Sequence, residues 1–126
     1  MAHAFDVSRW GVLSAFKQTR RIGGAAIARG SPDVDMLEGR KNLAVLWDLR
    51  VHPDLRNEGI GHKLFERAVE WSRERHCIQL KVETRNINVP ACRFYARQGC
   101  QLRSINPSAY EPALDEIQLL WYKDLV

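Results

Sequence analysis

A chain of 126 residues with 45% apolar and 27% charged side chains fits one folded domain, residues 1–126, and excludes a disordered or low-complexity polypeptide. The net charge of +4 and pI near 9.2 favour anions in general, yet the charge is scattered and no basic helix carries base-reading or stacking side chains, which argues against nucleic acid. Three cysteines, Cys77, Cys92 and Cys100, with no C-x-x-C pair, argue against a disulfide framework or a metal site and fit a cytoplasmic setting, while no signal pattern or apolar run long enough for a membrane is present.

In chain order, residues 10–18 are β-rich and break at Thr19-Arg20-Arg21, and residues 22–28 read as the return strand of a hairpin. Residues 29–42 hold Gly30, Ser31, Pro32, Asp33 and Gly39 and read as a loop. Residues 43–51 form a short apolar run that stops at Pro53, as a buried central strand would. Across residues 59–76, Ile60, Leu64, Phe65, Ala68, Val69 and Trp71 recur mostly at spacings of three and four, one stripe of an amphipathic helix. Residues 78–84 alternate, with Ile78, Leu80 and Val82 to one side and Gln79, Lys81 and Glu83 to the other. A second helix spans residues 89–98, with Pro90 in its first turn and Gly99 at its end. Residues 102–105 and 117–122 close the chain as strands, giving a mixed α/β layer fold.

The turn Arg56-Asn57-Glu58-Gly59-Ile60-Gly61 lies between the buried strand and the long helix. Backbone N–H groups at a helix N-terminus favour phosphate, and glycine lets an anion approach without a Cβ in the way. The P-loop ending is absent, and a short G-x-G can equally cap a helix and bind nothing. Asn88 suits an N-cap. Phe94 and Tyr95 are adjacent and cannot share a face, so with Phe94 in the core Tyr95 is expected at its edge.

Two segments, Val51-His-Pro-Asp-Leu-Arg56-Asn-Glu-Gly59-Ile-Gly61 and Asn88-Val-Pro-Ala91-Cys-Arg-Phe-Tyr95-Ala-Arg-Gln-Gly99, resemble in order and separation the two signatures of the GNAT superfamily of N-acetyltransferases. Leu46-Trp-Asp-Leu-Arg-Val-His-Pro and Leu119-Leu-Trp-Tyr-Lys are most similar to its streptothricin acetyltransferase branch. The resemblance implies a GNAT-like acyl-CoA N-acyltransferase fold, a central mixed sheet with splayed strands flanked by helices, and acetyl-CoA as co-substrate with no metal. Backbone amides of Arg56, Asn57, Glu58, Gly59, Ile60, Gly61 and His62 would cradle the pyrophosphate. The strand end Leu49, Arg50 and Val51 would pair with the pantetheine arm, Asn88 would hydrogen-bond it, and Tyr95 would act as general acid on the leaving thiolate.

An amine must be neutral to attack the thioester, so a base is useful. Glu83 at a strand end is the candidate, either as that base or as a plain solvated carboxylate. Asp48 is a second candidate that a neighbouring cation can equally explain, and Val51 N–H is the expected oxyanion donor. The acidic loop residues Asp33, Asp35, Glu38, Glu111, Asp115 and Glu116 either attract a cationic amine, such as an antibiotic, or are ordinary surface charge. His52 and His76 read as structural or exposed, and Cys92 and Cys100 as small packing residues rather than nucleophiles. The family's first strand and two helices are expected to be absent or reduced to residues 1–9, so that either a partner subunit supplies that wall of the acceptor site or the site is unusually open, and a homodimer is expected. Rival readings are a non-catalytic coenzyme-binding module and, more distantly, a nucleic-acid-binding domain.

Overall fold

The computed structural model describes residues 5–126. Strand β1, Gly11–Lys17, turns at Gln18-Thr19 into β2, Arg20–Ala28, and the two pair antiparallel. The reversal falls one residue earlier than Thr19-Arg20-Arg21, because Gln18 takes the left-handed conformation (φ 58°) that closes the hairpin. Residues 5–10 carry no helix or strand, and the remaining expected leader, 1–4, lies outside the described residues. The loop 29–42 contains a short 3-10 turn, Asp35–Leu37. Strand β3, Leu43–Val51, pairs antiparallel with β2, and helix α1, Ile60–Glu74, leads into β4, Gln79–Arg85.

Helix α2, Val89–Arg97, starts on Asn88, whose side-chain oxygen accepts a hydrogen bond from Ala91 N–H at 3.2 Å, with Pro90 in the first turn. It ends with Cys100 N–H donating to Tyr95 C=O and Gly99 N–H to Ala96 C=O, a Schellman closure with Gly99 at φ 88°. Strands β5, Gln101–Asn106, and β6, Gln118–Asp124, complete one six-stranded sheet in the order β1-β2-β3-β4-β6-β5.

Alternation along β3 separates two cores. Ala44 and Leu46 face the helices, where Ala25, Ile27, Leu80, Val82 and Trp121 meet Phe65, Ala68, Val69, Trp71 and Tyr95. Leu43 and Val45 face the other way, into a smaller cluster with Ala28, Val34 and Leu37 under the loop. Along residues 78–84 the alternation departs from expectation at two positions. Ile78 is exposed, and Lys81, on the expected polar side, is buried because Glu38 and a backbone carbonyl receive its ammonium.

Strand pairing sets up the site. β3 and β4 are parallel neighbours only at Leu43↔Gln79, Ala44↔Leu80 and Val45↔Lys81. Past that point β3 stays with β2 as far as Val51 and β4 stays with β6 as far as Arg85, so the two strands diverge. The β2–β3 register slips where Ile27 faces Leu46 and Ala26 faces Asp48, leaving Trp47 as a bulge residue. A bulge bends its strand and increases local twist. This one follows the last β3–β4 pair and turns β3 away.

Candidate active site at the strand divergence

The route out of β3 runs through a 3-10 turn, Pro53–Leu55, then Asn57 at φ 69° and Gly59 at φ 80°, which caps α1. The first helical hydrogen bond is Lys63 N–H to Gly59 C=O at 3.1 Å, so the N–H groups of residues 59–62 have no partner within the helix. No acidic residue occupies the first turn, and the positive end of the helix dipole is uncompensated. A Cβ on Gly61 would lie 3.3 Å from the Phe94 ring, so this glycine permits α2 to approach the turn.

Around the turn lies a groove of about 920 Å³. Of the residues expected to hold a coenzyme, Leu49, Arg50, Val51, Arg56, Asn57, Gly59, Ile60, Gly61, His62, Asn88 and Tyr95 all line it. Glu58 is not among the lining residues and its side chain is exposed; the role expected of it, a backbone N–H toward the pyrophosphate, does not depend on that side chain. His62 bridges Gln98 Oε1 and Glu66 Oε1, each at 2.7 Å. The groove wall also uses Phe94, Arg97 and Gln98, which sequence reasoning missed. Their spacing of three and four along α2, from Pro90 and Ala91, was the available signal.

A second cleft of about 860 Å³ opens on the other side of the divergence, between Trp47, Asp48 and Leu49 of β3 and Val82, Glu83, Thr84 and Arg85 of β4. Met36 and Glu116 reach it from the loops. Leu49, Asn88, Ala91 and Tyr95 line both cavities, so the two meet at the start of α2.

Tyr95 stands at that junction, in the opposite sense to the sequence expectation. It is buried, at 9% exposure, and Phe94 is the half-buried residue facing the groove. The reason is Gly61: the missing side chain leaves room for Phe94 over the turn, so Tyr95 packs inward, 6.1 Å from Phe65 and 5.1 Å from Phe94 between centroids. Its hydroxyl has no hydrogen-bond partner among the described residues. Burial, then the nearby Cys100 and Asp48, push its pKa up to about 12.

Glu83 lines the second cleft and accepts a hydrogen bond from the Tyr110 hydroxyl. Arg85 lies 4.6 Å from the Tyr110 ring and pairs with Glu116 at 2.5 Å, tying the 107–116 loop to the strand end. Burial and the Glu83 hydrogen bond push the Tyr110 hydroxyl up to about 12. Asp48 accepts from Arg50 Nε at 3.1 Å. His52 receives the Asp54 N–H, and Cys100 is a buried thiol raised to about 11 by that burial. Among the described residues no three His, Cys, Asp or Glu side chains gather as metal ligands, and no helix is long and apolar enough to cross a membrane.

The model of the acetyltransferase (GNAT) family matches residues 3–100. The chain belongs to the GNAT family. It is 36% identical over 81 residues to streptothricin acetyltransferase A of Bacillus subtilis (strain 168), covering 63% of this chain and 47% of that protein. It is 32% identical over 84 residues to an Escherichia coli streptothricin acetyltransferase, covering 64% and 48%. The chain thus spans about half the length of the curated relatives it matches. A Bacillus anthracis str. Ames protein assigned as a streptothricin acetyltransferase, solved with acetyl coenzyme A, superposes with TM-score 0.76 at 26% identity over 88% of this chain and 60% of that one. A GNAT-family protein of Desulfovibrio desulfuricans shares the fold, with TM-score 0.80 at 19% identity over 93% and 69%. The residues that match the family model take in β1 to β4, α1 and α2.

Proposed function

We propose that this chain transfers the acetyl group of acetyl-CoA to a small cationic amine, with both substrates bound at once. The observation that carries the reading is the meeting of two cavities at the β3–β4 divergence, with one ionisable hydroxyl, Tyr95, reached from both. The groove suits the coenzyme. Four unpartnered helix N–H groups and the side chains of Arg50, Arg56 and Arg97 offer anion contacts around the pyrophosphate. The edge of β3 at Leu49, Arg50 and Val51, freed from β4, offers backbone groups to the pantetheine amides in the manner of an added strand, and Asn88 adds a side-chain amide.

The coenzyme supplies the activated acyl group, and the chain supplies position and protons. Glu83 removes the proton that the attacking ammonium must lose, directly or through water. A backbone N–H near Val51 donates to the charge developing on the acyl oxygen. Tyr95 donates its hydroxyl proton to a hydrogen bond with the departing sulfur. The second cleft is lined by three carboxylates, Asp48, Glu83 and Glu116, against one guanidinium, Arg85, which suits a cationic acceptor. The relatives named for streptothricin support the same class.

Calorimetric titration with acetyl-CoA tests the first half. Wild type binds, and Gly61→Leu, which drives Phe94 into the groove, loses at least about tenfold in affinity. No heat with wild type refutes the reading. Binding without thiol release in the presence of streptothricin and a panel of amines would instead favour a non-catalytic coenzyme-binding module.

A further inference from the structure

We infer that Lys81 is a positioning residue for the acceptor cleft: through Glu38 and the Met36 carbonyl it fixes where the 34–40 loop sets Met36 in the cleft's lining. This rests on the acetyl-transfer reading, which makes that cleft the acceptor site.

Lys81 occupies the last pair of the β3–β4 ladder, opposite Val45. Its side chain is 4% exposed, and its ammonium donates to Glu38 Oε2 and to Met36 C=O, each at 2.9 Å, with the Tyr122 ring 5.6 Å away. The Tyr122 hydroxyl donates to the same Glu38 oxygen at 2.7 Å, and Arg40 lies 3.8 Å from the other. Glu38 itself is held in the left-handed conformation (φ 57°), its N–H closing the 3-10 turn on Asp35 C=O. Met36, inside that turn, lines the cleft together with Glu83, two residues beyond Lys81 on the same face of β4. One buried ammonium thus joins the cleft's loop wall to the strand that carries the proposed base.

Stability does not require this arrangement. The loop is already anchored by the buried side chains of Val34 and Leu37 and by Arg40 Nη1 donating to Gln79 Oε1 at 2.9 Å. Of the two charges only Lys81 is buried, at 4% side-chain exposure against 37% for Glu38, so the pair is intolerant of displacement because the ammonium left without its acceptors is costly. Its contribution is register. Met36 sits where the Lys81 ammonium places its carbonyl, and the width of the cleft follows.

The test uses the full chain, with streptothricin as the probe amine, and compares wild type with Lys81→Met, Glu38→Gln, the double variant and Lys81→Arg. Lys81→Met should raise the KM for streptothricin roughly tenfold, leaving kcat and the KM for acetyl-CoA within about twofold. Amide exchange at Leu37, Glu38 and Arg40 should quicken roughly tenfold, while exchange in α1 is unchanged. The double variant should regain thermal stability without regaining acceptor KM, and Lys81→Arg should recover part of the KM. An unchanged acceptor KM beside a loosened loop overturns the inference, as does a KM rise shared equally by both substrates. If streptothricin is not turned over, the KM split is read with whichever amine of a diamine and amino-sugar panel releases thiol. If none does, the acetyl-transfer reading itself has failed, and the exchange comparison still decides whether Lys81 sets the loop: unaltered exchange at residues 37–40 overturns it.

Discussion

Replacing Tyr95 by Phe isolates what the hydroxyl at the junction contributes. The Tyr95 hydroxyl ionises near 12, because burial disfavours the phenolate and Cys100 and Asp48 add to the effect. A thiol leaving group of the cysteine type ionises near about 8.5, so complete proton transfer from Tyr95 is uphill by about 5 kcal/mol, at about 1.36 kcal/mol for each unit of pKa. Tyr95 therefore assists by donating a hydrogen bond to developing charge, worth about 1.5–3 kcal/mol. That converts to a kcat loss of about 10- to 150-fold in Tyr95→Phe, at the lower end of what general acids supply. Affinity for acetyl-CoA and the melting temperature should stay unchanged, since the hydroxyl has no partner to lose among the described residues. The assay is thiol release with streptothricin at saturating acetyl-CoA from about pH 6 to 10, where the wild-type profile should show no alkaline fall assignable to Tyr95, still protonated throughout. A Phe variant as active as wild type refutes the role. So does a loss beyond about 10⁴-fold, which would require full proton transfer.

Glu83→Gln should lower kcat by about 10²-fold with acetyl-CoA affinity intact, whereas Tyr110→Phe, removing only the partner that orients Glu83, should cost much less; steady-state kinetics of the two separates base from scaffold. Asn88→Asp keeps the oxygen that caps α2 and removes the amide donor, so melting should hold while calorimetry shows weaker acetyl-CoA binding; Asn88→Ala should also lose about 1 kcal/mol of stability. Gly59→Ala forces φ 80° on a residue with a Cβ, a cost of about 1–2 kcal/mol in denaturant unfolding, although no atom lies within 4 Å of the added carbon. Tyr95, Tyr110 and Tyr122 are all raised from 10.0 to about 12, so the unfolded chain releases these protons first. Their contribution is whole below pH 10, erodes above it and is gone past 12, as alkaline unfolding should show. Burial raises the Glu38 carboxyl, but hydrogen bonds from Tyr122 and Lys81 outweigh it and hold the group below 4.5. Its contribution is present above that value and lost as pH falls through the native pKa, and Glu38→Gln should flatten that acid limb.

Much of this was legible from residue order. Helical spacing located Leu64, Phe65, Ala68 and Val69 on one stripe, and all four are buried. Arg56 to Gly61 and Asn88 to Gly99 marked the turn and second helix because glycine, proline and asparagine act through local backbone geometry. What failed depended on contacts distant in sequence. Lys81 read only as a residue on the strand face opposite Ile78, Leu80 and Val82, and its burial was not foreseen because its partner, Glu38, lies in a loop whose path no local pattern specifies. Phe94 and Tyr95 exchanged places because the deciding neighbour was Gly61, on another helix. Met36 entered the cleft from a loop read only as a connection, whereas Glu116 stood among the acidic loop residues that either attract a cationic amine or are ordinary surface charge.

The strand divergence was expected from the family resemblance alone, yet one residue explains its physics. An extra residue at Trp47 lets β3 keep its bonds to β2 while rotating away from β4, and neither strand gives up its other partner. The opening exposes unpaired β3 backbone to one cavity and the side chains of β4 to the other. A donor that serves both must therefore come from an element packed across the gap, and α2 is the element whose first turns border both. Burial at that crossing also keeps the Tyr95 hydroxyl protonated. The bulge, the shared lining and the raised pKa are then consequences of one geometry. Deleting Trp47 should restore continuous β3–β4 pairing and abolish acetyl-CoA binding, even in a chain that still folds.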